Sequence, residues 1–97
     1  MTIYQMNQTE QDLRAREERD KLIAIYDEGW NFRVIIDGKE RKYKTRDGAR
    51  ARFHRDKFHC NEFISLQRLV ANWDTEDGKY FISKIEWREI SRFEWNN

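Results

Sequence analysis

The sequence predicts a small α+β domain: an N-terminal helix, an antiparallel sheet of two hairpins with four or five strands in all, and one basic helix between the hairpins. Three observations carry that expectation. Asp37-Gly38 stands between two alternating runs, and this dipeptide suits a type I′ turn because both central positions need positive φ. Lys79 to Trp87 is rich in β-formers and follows a polar, glycine-containing stretch, Asp74 to Gly78. Thr9 and Thr45 each precede a charged segment suited to a helix. Residues 1–8 lack periodicity and read as a disordered tail, leaving 9–97 as one domain.

In chain order, Thr9 followed by Asp12 resembles a capping box with Asp in place of Glu, opening a helix over 10–20. Only Leu13 and Ala15 are apolar there. So short and solvated a helix is marginal alone and orders against the domain or against a second copy, as a homodimer. Lys21 to Tyr26 continues that helix, with Leu22, Ile25 and Tyr26 on one side, or forms a short buried strand. Asp27 and Glu28 would oppose a helix dipole, which favours the strand and a three-stranded meander.

The turn at Asp37-Gly38 sets Ile36 opposite Lys39, Val34 opposite Arg41 and Phe32 opposite Tyr43. Alternation then gathers Phe32, Val34, Ile36 and Tyr43 on a core face. Arg33, Ile35, Glu40, Lys42 and Lys44 share the other, mostly cationic face. Thr45 caps a helix from Arg46, with Asp47 in its first turn, and only Ala49 and Phe53 (with Cys60 in line) offer it an apolar stripe. His59 to Trp73 fits both helical and strand spacing, and its partner run tips it toward a second hairpin closed by a loop at 74–78. Phe81, Ser83, Ile85 and Trp87 fall on one face of that partner, and Arg88 to Asn97 extends it or turns back as helix.

With 38% hydrophobic and 38% charged residues, the chain has little apolar surplus, and its mean hydropathy is −1.08. Fourteen per cent aromatic residues, four of them Trp, supply enough burial to fold it. The net charge of +1 conceals a division: Lys39 to Lys57 holds nine basic residues against three acids, while both flanking segments are acidic. Such a division can steer an acidic partner to one side.

Several chemistries lack support. One cysteine rules out a disulfide framework. His54, His59 and Cys60 lack the paired short spacing of a zinc site, with no second Cys or third His, and without a local nucleophile signature Cys60 reads as a half-buried thiol. In the acidic stretch, aligning Gly78 with the obligatory glycine of a calcium loop puts Trp73 where an oxygen ligand is needed. No glycine-rich phosphate loop occurs. No cofactor, metal or catalytic activity is expected. The sequence shows no signal peptide and no run of the roughly 20 apolar residues a membrane span needs, so a cytoplasmic protein is the expectation.

The positive expectation is a nucleic-acid surface: Arg33, Lys42 and Lys44 on the strand face, with Arg46, Arg50, Arg52 and Arg55 on the helix, contacting phosphate. The alternating strand Trp30 to Ile36, Gly38, a basic strand ending Tyr43-Lys44-Thr45, and a helix carrying Ala49 together resemble the integrase arm-type DNA-binding domain. The resemblance covers about a third of the chain (residues 30–53) and implies a three-stranded sheet, backed by a helix, laying its strand face into the major groove. It departs in the helix, usually acidic and alanine-rich in that family, and in the added C-terminal hairpin. The alternative is a protein-binding inhibitor of a host nucleic-acid enzyme or defence system, anti-CRISPR-like, in the style of small phage or mobile-element accessory proteins. Trp95 is then the best exposed hot-spot candidate, because the core has room for only two or three of the four Trp.

Overall fold

The computed structural model describes residues 3–95, with side chains from Glu10 onward. In chain order it contains α1 (Ile3–Asp27), β1 (Phe32–Ile36), β2 (Lys39–Tyr43), α2 (Arg46–Asp56), β3 (Phe63–Glu76) and β4 (Lys79–Glu94). The four strands form one antiparallel sheet in the order β2-β1-β3-β4.

The first hairpin follows its local chemistry. Asp37 and Gly38 take φ of 49° and 83°, and Phe32, Val34 and Ile36 oppose Tyr43, Arg41 and Lys39. The Asp37 carboxylate also accepts backbone N–H bonds from Asn61, Glu62 and Phe63 at 2.9, 2.7 and 3.1 Å. Those bonds, led by those from Asn61 and Glu62, hold its pKa below the ordinary 3.8. One side chain thus fixes the β1–β2 turn to the start of β3.

Thr45 caps α2, its Oγ1 accepting the Gly48 N–H at 3.1 Å, with Asp47 in the first turn. The inward stripe Ala49 and Phe53 packs on Val34, Ile64 and Leu66, bordered by Phe32, Ile36, Tyr43 and Phe93. Each large side chain buried there contributes about 1.5–3 kcal/mol. Cys60 joins this layer from the connection after α2 and is buried rather than half-buried; its thiol donates to the Lys57 carbonyl at 3.3 Å.

The opposite face is where expectation and structure part. Lys21 to Tyr26 is not a strand but the end of α1, so β1 has β2 and β3 as neighbours and no meander precedes it. The reason is the exit. Gly29, at φ 88°, donates to the Tyr26 carbonyl at 3.0 Å, and Trp30 donates to the Ile25 carbonyl at 3.1 Å. This is a Schellman closure, with apolar residues at both of its contact positions. It outweighs the repulsion of Asp27 and Glu28, each worth under about 1 kcal/mol at an exposed helix end. The helix also begins at Ile3, ahead of the expected cap, so Thr9 is an interior residue; residues 1 and 2 of the segment read as a tail lie outside the described residues. Residues 10–21 are exposed. The last turns lie against the sheet: Tyr26 meets Trp73 of β3 edge-on at 6.4 Å, and Leu22 and Ile25 border a cleft with Arg33 of β1 and Trp87 of β4.

The second hairpin forms, but its turn is two residues, Asp77 and Gly78 at φ 52° and 76°, rather than a loop over 74–78. Two bulges interrupt β4. Leu66 and Gln67 oppose Ser91 and Glu89, leaving Ile90 as an extra residue; Asn72 and Trp73 oppose Lys84 and Ile82, leaving Ser83. The second bulge switches faces, so Phe81 does not share a side with Ile85 and Trp87 as strict alternation required. Beyond Arg88 the chain continues as strand to Glu94.

Candidate nucleic-acid interface

The strand face expected to meet phosphate is occupied. Arg33 is only 20% exposed: its Nη1 lies 2.6 Å from Glu40 Oε2, its Nε donates to Gln67 Oε1 at 2.7 Å, and its guanidinium sits 4.4 Å from the Trp87 ring centre. Lys42 Nζ lies 2.8 Å from the other Glu40 oxygen. Burial raises the Glu40 pKa, but hydrogen bonds from Lys42 and Arg33 outweigh it and leave the carboxyl below its ordinary 4.5. The band continues across the sheet: Gln67 donates to Ser65, Ser65 donates to Glu89, and Arg92 donates to Glu89. Arg33 and Lys42 therefore do not stand free for phosphate. Over this face lies α1, whose Leu22 and Ile25 border a cleft with Arg33, Lys42 and Trp87.

On α2 the cations divide by flank. Arg52 pairs with Asp56, and Arg55 Nε lies 3.3 Å from the same carboxylate. Arg52 turns toward Lys39 and Arg41 of β2, where these residues line one cleft. Helical spacing sends Arg46 and Arg50 to the other flank. Both are exposed, and neither makes an ion pair among the described residues. Lys44, just before the cap, is likewise exposed and unpaired among them, its ammonium 4.8 Å from the Trp30 ring centre.

Arg68 is the residue the sequence did not reveal. On β3 it opposes Phe32 of β1. With Phe32, Arg46 and Ile90 it lines a cleft of about 350 Å³ between the start of α2 and the sheet. Its discovery needed the β1–β3 register, a pairing between strands far apart in sequence. The Ile90 bulge completes the wall. Three other surface clefts each include a carboxylate, from Glu18, Glu28, Asp37 or Glu40. The lining of this one is two guanidiniums and two apolar side chains.

Trp95 is 47% exposed, but it belongs to a Phe58–Phe93–Trp95 cluster past the C-terminal end of α2 and is not brought to the Arg46 end. His54 and His59 are exposed, and among the described residues no three or more His, Cys, Asp or Glu side chains converge as a ligand set. No helix among the described residues is long and apolar enough to cross a membrane. No protein-family model, curated protein or solved structure matches the chain.

Proposed function

We propose that this protein binds nucleic acid through its phosphate backbone, using Lys44, Arg46 and Arg50 at the start of α2 together with Arg68 across the cleft. The ion-pair pattern is the observation that carries the reading. Arg33, Lys42, Arg52 and Arg55 share the carboxylates of Glu40 and Asp56, whereas Lys44, Arg46, Arg50 and Arg68 make no ion pair among the described residues, and Arg46 and Arg68 line one cleft. Surface cations without ion pairs offer counterion release to a polyphosphate, and that gain does not depend on base sequence.

The test is fluorescence anisotropy with a labelled oligonucleotide over a salt series. Four phosphate contacts give a log–log slope of about −3. Arg46→Glu with Arg50→Glu should weaken binding at least about tenfold and flatten that slope, while Lys79→Glu at the far end of the second hairpin should change little. Binding that ignores salt, or none at all, rejects the reading.

A second reading rests on a separate observation. Trp73, Tyr80 and Phe81, near the turn of the second hairpin, are 53%, 77% and 42% exposed. Large aromatics in the open suit a protein partner, as an inhibitor of a nucleic-acid-handling enzyme or defence complex would need. A pull-down from nuclease-treated lysate separates the two: a protein that stays bound through Tyr80 supports inhibition, and recovery only with nucleic acid present supports the first reading.

A further inference from the structure

We infer that the Phe32–Arg46–Arg68–Ile90 cleft is a nucleotide subsite selective for single strands, seating an unstacked base on its apolar floor while the two guanidiniums hold the flanking phosphates. This rests on the nucleic-acid reading above and specifies the form of the ligand.

The argument begins with what lines the cleft. Phe32 contributes an aromatic ring from β1, half-buried and supported from beneath by the core layer. Ile90 is 40% exposed, and it stands at a bulge, a device that re-aims a side chain at the expense of one ladder pairing. Arg46 and Arg68 approach from different elements, α2 and β3. A duplex presents its phosphates on a convex backbone with its bases stacked inside, and has nothing to insert into a recess of about 350 Å³. A single strand can turn one base out. That base gains a hydrophobic and π contact with the floor while its neighbouring phosphates meet the guanidiniums. With no carboxylate in the lining, an entering phosphate meets no like charge there.

Loose surface binding of a duplex would use Lys44 and Arg50 equally well, so the two modes differ in which residues matter. DNA and RNA single strands share the recognised chemistry. Stacking of the base on the floor sets the expected discrimination at about tenfold or more.

The experiment measures anisotropy of labelled oligothymidylate, oligouridylate and the oligothymidylate–oligoadenylate duplex with the full chain and with Arg68→Ala and Ile90→Ser. Both substitutions lie at exposed positions, and thermal melting checks that each variant stays folded. The expected result is at least one single strand bound about tenfold tighter than duplex, with Ile90→Ser weakening the single strand severalfold and leaving duplex binding within about twofold. The better-bound oligonucleotide identifies DNA or RNA as the preferred source. Equal affinity for both forms, or equal losses in both variants for both forms, overturns the subsite while leaving phosphate binding by α2 intact. Absence of binding by any of the three overturns the nucleic-acid reading and the subsite together.

Discussion

The two faces of the sheet treat cationic side chains in opposite ways. On the α2 face Val34, Ala49, Phe53, Ile64 and Leu66 fill the middle, and Arg46, Arg50 and Arg68 are exposed and make no ion pair among the described residues. On the α1 face Arg33 lies in the middle, over Trp87, tied to Glu40 and through Gln67 to a polar band reaching β4. A guanidinium covered by a helix loses hydration and must meet a counter-charge, whereas one at a rim keeps its water. Counting cations along the chain therefore overstates what a partner can use. Of the seven residues Arg33, Lys42, Lys44, Arg46, Arg50, Arg52 and Arg55, four are ion-paired, two of them sharing Glu40 and two sharing Asp56.

If the α2 face is the structural core and the α1 face a partly solvated cover, truncations should separate them most strongly. Ile64, fully buried, should cost about 3 kcal/mol as Ile64→Ala in denaturant unfolding, against about 1 kcal/mol for the half-buried Ile25→Ala. Equal losses would show that α1 contributes as much as α2.

Acid should act next, at Glu40 on the α1 side and at Asp37 in the first hairpin turn. Glu40 and Asp37 both have folded pKa values below their ordinary 4.5 and 3.8. Their contribution is fully present above those ordinary values and is lost as pH falls through the lower, folded ones. Stability should be flat at neutral pH and decline in that acid range, with Glu40→Gln removing part of the slope and leaving the part due to Asp37 and to Glu86, which the Arg88 hydrogen bond likewise holds below its ordinary value. A Glu40→Gln variant with an unchanged acid profile would show that the Arg33 and Lys42 pairs add nothing to folding.

The smallest expected effect sharpens the contrast in charge. Glu40→Gln unpairs Arg33 and Lys42, and should raise oligonucleotide affinity about twofold at low salt. No change would mean that α1 itself, rather than Glu40, keeps this face from a polyanion.

What could be read from the chain follows the range of the physics involved. Asp37-Gly38 and the Thr45 cap act within a few residues, so turn, register and helix start were legible, as was the α+β class. Gly29 suits a helix cap and a hairpin turn alike in the sequence, because the Ile25 and Trp30 ends of its closure, which decide for the helix, matter only once the helix is present. Glu40 shares a strand face with Arg33 and Lys42 in the sequence pattern, so the neutralisation of those two had a visible signal. Arg68 and Ile90 did not. Each enters the cleft through a pairing or a bulge that exists only after the two hairpins join.

That join has a consequence for how the molecule assembles. Each hairpin closes a two-residue turn and can form early and alone, while β1 must find β3 across the whole length of α2. The Asp37 carboxylate, gripping the three amides at the start of β3, sits at the seam where that slower step ends. The cleft walls come from both sides of the seam, so the cleft is complete only when β1 and β3 are paired.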